Sequence, residues 1–495
     1  MLVSLKLPPG LYNDGTVYQA RGRWIAAQLV RWFSGEMRPM GGWQVHSGDP
    51  FSGVGRVMLP WRDNNNSIWA AVATANNLYV MSRTGAVSDI TPVGFRGGLT
   101  DAALGGGYGV GAYGVGAYGT IRSGIDMIQE ATMPALDLWG PYLVFVSPDD
   151  QTLYQWDLAP TAAAAPIANA PSARSLVVTN EHFLFALGCG GDERQIAWPD
   201  QSNNTLWTPD VSNSAGAETL PSTGRILCGK RLSQGTGIWT DNELWIAQYI
   251  GQPDVYGFQK ADSGCGAISR NAVVTAASQA FWMSPSGFFA YNGYVQPLPC
   301  DVQGYVYSNL NLLQVSKISA FRLSTFREVW WLYPSVNSTE CDSYVTYNYQ
   351  ENTWNCGSLS RTCGADQDVF SLPMMCGTDG TIYDHETGFS YTGAATPSAL
   401  SGPFELPGPL GSGETVFGAD LLIADEKTAG DTEVTFLGAY YPDTTETHYG
   451  PYALGGRPTP VRFSARQVRV LVQGVELDDW RWGEPRLRAN PRGAR

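Results

Sequence analysis

Ile238-Trp239-Thr240-Asp241-Asn242-Glu243-Leu244-Trp245-Ile246-Ala247-Gln248-Tyr249 places two short β-branched and aromatic runs on either side of a polar Asp-Asn. That is the sequence signal of a β-hairpin. The pattern recurs at 68–81 around Asn76-Asn77, at 142–156 around Pro148-Asp149-Asp150 and at 183–198 around Gly190-Gly191-Asp192. It returns at 281–291 around Ser284-Pro285-Ser286-Gly287, at 329–349 with a longer tip, and at 374–385 around Asp379-Gly380. A single hairpin is marginal in water, and each of these is apolar enough to need cover on both faces. Short antiparallel sheets stacked face to face around an axis supply that cover. The chain is therefore expected to be all-β, with an irregular six- or seven-bladed β-propeller, an N-terminal arm and a C-terminal β-sandwich.

The whole composition agrees. Among 495 residues, glycine (57) and proline (31) are frequent and only 15% are charged, as in a turn-rich β protein that packs well. Helical signals are confined to 302–319 and 24–33. The opening Met1-Leu2-Val3-Ser4-Leu5-Lys6-Leu7-Pro8-Pro9 is broken by proline too soon for a signal peptide, and no run approaches the ~20 apolar residues of a membrane span. Eight cysteines without paired spacing are expected to be reduced and buried.

Residues 1–50 form the arm, in which Arg21, Arg23, Arg31 and Arg38 alternate with Trp24, Trp32, Phe33 and Trp43. Such an arm suits a strand that closes the propeller, a clamp on a neighbouring subunit, or both. The propeller is assigned to 51–391, a Gly/Pro/Ser/Ala-rich linker to 392–413 and the sandwich to 414–495. In this last part strands are expected at 416–423, 433–441, 461–463, 466–472 and 480–487. Within the propeller, 104–119 is an insertion where Tyr108, Tyr113 and Tyr118 recur every five residues among glycines. Five is neither the helix nor the strand period. A phosphate loop would require a preceding strand, a following helix and a lysine, which this stretch lacks. Tyrosines on a glycine-rich chain suit either a partner's surface or the protein's own blades.

Net charge is −14, which argues against a nucleic-acid-gripping surface. From 457 to 495, however, nine arginines face four acids, leaving −19 for the rest. That basic segment, including Arg466 and Arg469, is either a solvated strand face or a docking surface.

Chemistry is sparsely signalled. The four histidines (46, 182, 385, 448) show no metal-binding spacing. Ser263-Gly264-Cys265-Gly266 lacks the Gly-x-Ser-x-Gly of a nucleophile elbow and suits a tight strand start with a buried cysteine. Carboxylates such as Asp200, Asp241 and Asp301 could serve a glycosidase only if brought together. No catalytic, cofactor-binding or metal-ligating residue is expected.

Taken in order, several pieces resemble the tail nozzle or packaged-DNA-stabilisation (tail accessory) proteins of short-tailed phages. They are Gly22-Arg23-Trp24, Arg38-Pro39-Met40-Gly41-Gly42-Trp43, the Tyr-Gly-Val-Gly-Ala-Tyr-Gly loop, Trp207-Thr208-Pro209 and Tyr256-Gly257-Phe258. Ser263-Gly264-Cys265-Gly266-Ala267-Ile268-Ser269, Gln296-Pro297-Leu298-Pro299-Cys300-Asp301-Val302-Gln303, Trp480-Arg481-Trp482-Gly483 and the Pro-Arg-Gly-Ala-Arg ending complete the set. The resemblance implies a non-enzymatic propeller-plus-sandwich subunit of a hexameric ring below the portal and adaptor. Such a ring extends the DNA channel and retains the genome until ejection. The implied partners are its own copies, the tail adaptor, and tail fibre or tailspike and needle proteins, with genomic duplex DNA passing through without tight binding. The implied location is the virion tail, assembled in the bacterial cytoplasm. Tyr108, Tyr113, Tyr118, Arg23, Trp24, Arg466 and Arg469 are the expected interface residues. A glycan-binding or glycan-active propeller is the rival expectation, and it would need carboxylates and aromatics gathered in the central funnel.

Overall fold

The computed structural model describes residues 2–46, 49–105, 128–391, 396–405, 407–408, 411–412, 415–425, 432–441, 444–455, 457–475 and 478–493. Seven four-stranded antiparallel sheets follow one another around a ring. Blade 1 comprises Val57–Arg62, Ile68–Ala73, Leu78–Ser82 and Val87–Asp89; blade 2 comprises Ala135–Trp139, Tyr142–Val146, Tyr154–Trp156 and Ala165–Pro166. The inner strands of blades 3 to 7 are Ser175–Val178, Ile226–Leu232, Val273–Ala276, Ser319–Leu323 and Cys363–Ala365. Blade 7 takes its outermost strand, Trp43–Val45, from the N-terminal arm, where it pairs with Ile382–His385. This strand brings the two ends of the ring into one sheet, and the arm thereby closes the propeller.

Every one of the seven expected hairpins supplies the two middle strands of a blade. Their alternation then explains the closure. In blade 6, Trp330 packs with Phe321, Leu332 and Tyr344 toward Met375 of blade 7, while its neighbour Trp331 packs toward Phe281 and Phe288 of blade 5. Successive strand residues point to opposite faces, so each blade supplies half of two interfaces. Seven apolar clusters fill the seven interfaces, and the one holding Met58 and Val72 with Met374 and Cys376 joins blade 1 to blade 7.

The C-terminal sandwich has two sheets. In one, Leu2–Ser4, Arg486–Gly493, Val416–Ile423 and Thr459–Ala465 lie side by side. In the other the order is Trp24–Gln28, Ser398–Ser401, Gln467–Gly474, Thr432–Ala439 and Thr447–Ala453. Val468, Val470 and Val472 are buried while Gln467, Arg469, Leu471 and Gln473 are half-buried on the outer face, the alternation visible in the sequence. The inner faces meet at Phe417, Phe436 and Phe463, and this core runs on through Trp24 and Trp32 of the arm to Trp331 and Trp354 of blade 6.

Several expectations change. Residues 24–33 are two strands, Trp24–Gln28 and Val30–Phe33, broken at Leu29, whose φ is +52°. Their β-branched and aromatic content outweighs the weak helical spacing. Residues 302–319 do hold the short helix Gln303–Ser308 and a 3₁₀ segment, Leu312–Lys317. The stretch expected as a linker, 392–413, contains Ser398–Ser401, an interior strand of the sandwich. Thr447–Ala453 had no strand signal because Gly450-Pro451 interrupts it. Trp480 and Trp482 do not open a strand; both are buried, and the last strand begins at Arg486.

Candidate functional site

The inner strands surround a central cavity of about 360 Å³. A basic residue stands one to three positions before the inner strand in six of the seven blades: Arg56, Arg174, Arg225, Arg270, Lys317 and Arg361. Blade 2 is the exception, and there Glu130 comes back to pair with Arg225. Topology puts all these positions at the same mouth of the ring, where each blade begins.

Most of these cations are neutralised. Arg56 lies 2.6 Å from Glu340, and Lys317, with no exposed side-chain surface, holds Glu340 at 2.9 Å and also Asp101. Arg174 pairs with Glu193 at 3.3 Å. Among the described residues Arg361 has no carboxylate partner: its Nε donates to His385 Nε2 at 2.9 Å, and its guanidinium lies 4.0 Å from the Tyr383 ring centre. Burial, helped by Arg361, holds His385 well below the usual histidine range, so it is neutral and accepts that hydrogen bond.

Arg270 differs because it lines the cavity. It is 7% exposed, and its Nη1 donates to the backbone oxygens of Leu227 (2.9 Å) and Arg174 (3.4 Å), on blades 4 and 3. Asn271 reaches the other way, donating to the Arg56 oxygen of blade 1 at 3.2 Å, while its own carbonyl accepts from Ala320 of blade 6. Two consecutive residues of blade 5 thus span the mouth from one side of the ring to the other and form a floor across it.

Toward the opposite mouth the charges are paired. Arg231 meets Asp137 at 2.7 Å, and Asp137 also accepts from the Val178 N–H at 2.7 Å. Arg322 meets Asp366 at 3.2 Å and Asp368 at 2.9 Å. No aromatic ring other than that of Phe321 lines the cavity among the described residues. Sequence reasoning missed this constellation. The signal that could have found it, a basic residue before each inner strand, becomes visible only once those strands are located.

The expected interface residues fall elsewhere. Tyr108, Tyr113 and Tyr118 lie outside the described residues, but Ala103–Leu104 pairs with Ile128–Gln129, so the insertion leaves and returns at one place. Its near end is tied down by Gln314, which exchanges two 2.9 Å hydrogen bonds with the backbone of Ala102. Trp24 is 2% exposed and packs 6.3 Å from Trp32. In the folded chain its apolar ring is used inside the molecule. Arg23 pairs with Asp301 at 2.9 Å and lies over Tyr12. Arg466 lies over Tyr441, 5.1 Å from the ring centre, and Arg469 Nε donates to Glu446 at 2.7 Å. These two lie on the sandwich, Arg469 on the interior strand Gln467–Gly474 and Arg466 just before it, and do not meet the arm pair.

The candidate chemical groups also scatter. Asp200 accepts from the Ser214 N–H, Asp241 lies 3.7 Å from Arg225, and Asp301 holds Arg23. Cys265 is buried, and burial pushes its thiol up to about 11, away from the reactive thiolate. Gly266 has no room for a side chain, since a Cβ would overlap the backbone of Asp241 and Asn242. All eight cysteines are unpaired, seven of them buried. Among the described residues, no three His, Cys, Asp or Glu side chains converge as metal ligands, and no helix is long and apolar enough to cross a membrane.

No protein-family model and no curated protein matches the chain. It is similar in shape to several solved structures. Virginiamycin B lyase from Staphylococcus aureus is 6% identical, with 69% of this chain and 97% of that one covered at a TM-score of 0.40. The Neurospora crassa Pan2 WD40 domain is 7% identical, with 70% and 94% covered at 0.38. An exo-β-1,3-galactanase from Phanerochaete chrysosporium is 10% identical, with 91% and 100% covered at 0.30. At these identities and scores no activity transfers to this chain, and the propeller stands on its own strand pairing.

Proposed function

We propose that this protein is a structural subunit of a short-tailed phage tail, assembling as a hexameric nozzle ring that extends the DNA channel and retains the packaged genome. The observation that carries this reading is where the resembling motifs sit. Gly41 and Gly42 lie so close to the backbones of Glu386 and Ser390 that a Cβ at either would overlap them, and so they seat the arm on blade 7. Trp482 exchanges backbone hydrogen bonds with Met37 (2.8 and 3.2 Å), fastening the arm to the sandwich. Trp207, Tyr256 and Cys265 are buried at the blade interfaces. These motifs are thus joints between arm, blades and sandwich, in keeping with the propeller-plus-sandwich subunit that the resemblance implies.

The cavity of about 360 Å³ is of small-molecule size. In such a ring the duplex therefore passes between subunits, whose −14 charge each repels phosphate and lets DNA slide. The basic 457–495 segment faces a neighbouring copy or the adaptor. Particle mass with low-resolution imaging tests the proposal: a six-fold ring, alone or with the adaptor, is expected. In that assay, changing Tyr108, Tyr113 and Tyr118 together to Ser weakens assembly and leaves the monomer's melting temperature unchanged. A protein that stays monomeric with and without the adaptor overturns the ring.

The rival reading, a glycan-binding or glycan-active propeller, has one observation in its favour, a central cavity of ligand size. Its acids are engaged by Arg231 and Arg322. Turnover of a glycan substrate would establish it.

A further inference from the structure

The cavity holds two cations that form no ion pair among the described residues. Among the described residues lining it, Arg231 is matched by Asp137, and Arg322 by Asp366 and Asp368. Arg270 and Lys230 have no carboxylate within ion-pair distance among the described residues. Arg270 is the more demanding case. A guanidinium does not shed its proton at neutral pH, and a buried charge is costly unless it is paired. Its two backbone acceptors use one of its nitrogens, Nη1, and among the described residues its other donors meet no hydrogen-bond partner and it makes no ion pair.

The neighbouring arginines are engaged elsewhere. Arg174 and Arg225 stand on the same mouth, each already committed to its own acid. Burial first, then Arg225, pulls the Arg270 pKa down to about 10, with Glu130 opposing, so it remains charged at neutral pH. Lys230, half-buried on the inner strand of blade 4, adds a mobile ammonium to the same space. The arrangement also has direction: Arg270 and Asn271 reach across one mouth, so the cation lies at the floor of the cavity at that end.

We propose that the propeller cavity binds a small multivalent oxyanion, with the Arg270 guanidinium at the floor and the Lys230 ammonium on the wall as its ligands. A planar guanidinium matches a phosphate or carboxylate edge, and an ammonium adds a point charge on a flexible stem. The volume suits a molecule of metabolite size and excludes a polymer. The site is independent of ring assembly, since every residue in it belongs to one chain.

Isothermal titration of the full-length protein with inorganic pyrophosphate, and separately with citrate, tests this and distinguishes phosphate from carboxylate chemistry. One site per chain is expected for at least one of the two anions. Lys230→Gln and Arg270→Met should each weaken it about tenfold or more, the effect of losing one charge-assisted ligand. The double variant Arg486→Gln/Arg488→Gln, on the exposed face of the sandwich, should leave it unchanged. If Arg270→Met does not fold, Lys230→Gln against the sandwich variant decides alone. The proposal is overturned if neither anion binds, if Lys230→Gln binds as tightly as the wild type, or if the sandwich variant loses binding equally.

Discussion

Replacing Arg31 by methionine should separate the N-terminal arm from the propeller energetically, and by a large margin. Arg31 is 1% exposed and sits where the arm strand Val30–Phe33 meets blades 6 and 7. Its Nη1 and Nη2 hold both oxygens of Glu386 (2.9 and 2.6 Å), its Nε meets Glu328 at 3.1 Å, and its guanidinium lies 3.6 Å from the centre of the Phe326 ring. Methionine keeps most of the volume and removes the charge. Two carboxylates, one fully buried, then share a site with no cation between them. Breaking a buried ion pair from one side costs about 3–5 kcal/mol, chiefly because the surviving charge is left unpaired. The Gly41 N–H still donates to Glu386 at 2.9 Å, and Trp330 Nε1 still donates to Glu328 at 2.9 Å, which keeps the expected loss within that range.

The pH dependence of that loss identifies its cause. Burial already raises the Glu328 pKa above the usual carboxylate value, with Arg31 opposing it. Without Arg31 the folded-state pKa rises further. A group shifted upward contributes full stability below its unfolded pKa and loses it as pH rises through the folded one. The deficit of Arg31→Met relative to wild type should therefore be full at pH 7 and shrink as pH falls toward about 4.5. The slope is about 1.4 kcal/mol per pH unit for each carboxyl that takes up its proton only when folded. Urea unfolding of both proteins at pH 7 and pH 5, followed by tryptophan fluorescence, measures this. The triple variant that also carries Glu328→Gln and Glu386→Gln should recover part of the loss at pH 7. A pH 7 deficit under about 1 kcal/mol, or one equal at both pH values, would refute the reasoning.

His385 is neutral and buried with its folded pKa depressed, so wild-type stability should fall as pH drops below about 6.5, by about 1.4 kcal/mol per unit until the folded site protonates. His385→Gln, which still accepts from Arg361, should flatten that slope in the same unfolding assay. Gly266→Ala would push a Cβ into the Asp241-Asn242 backbone and should destabilise the protein by roughly 1–3 kcal/mol, whereas Gly455→Ala, with open space around it and no left-handed backbone, should lose less. A gel-shift titration with duplex DNA should show no salt-sensitive binding tighter than micromolar, and tight binding abolished by neutralising Arg486 and Arg488 would replace a conduit with a DNA-gripping role.

The blades were legible from sequence because the middle strands of each carry the signal: both faces are buried, so they are continuously apolar, and a polar turn joins them. The inner strands carried little signal. Ile226–Leu232 reads Ile-Leu-Cys-Gly-Lys-Arg-Leu and Cys363–Ala365 is three residues long, because one edge of each meets the cavity rather than another strand. The candidate site is built on those strands and was invisible for the same reason. The sandwich was half legible. Alternation marked Gln467–Gly474, yet its sheet is completed by Trp24–Gln28, and the facing sheet by Leu2–Ser4 pairing with Arg486–Gly493. Alternation shows which face of a strand is buried, but it does not name a partner more than 480 residues away.

That long-range pairing bears on where the basic segment can act. Arg462, Arg486, Arg488 and Arg492 are exposed on the outer face of the sheet that Leu2–Ser4 completes, while Val461, Phe463, Leu487 and Ala489 point into the core. Asp420 pairs with Arg488 on that face at 2.6 Å. The basic cluster around the propeller mouth is a different case: Arg56, Arg174, Arg225 and Lys317 are bound to acids, and Arg270 is buried. A duplex approaching from outside would therefore meet its strongest attraction at the sandwich and not at the propeller. A conduit that lets DNA slide has to cover that sheet, and an acidic protein surface would do so with complementary charge. If the protein forms a ring, the outer sheet of the sandwich belongs at a contact with a neighbour, and the bore belongs to surfaces where acids are unpaired.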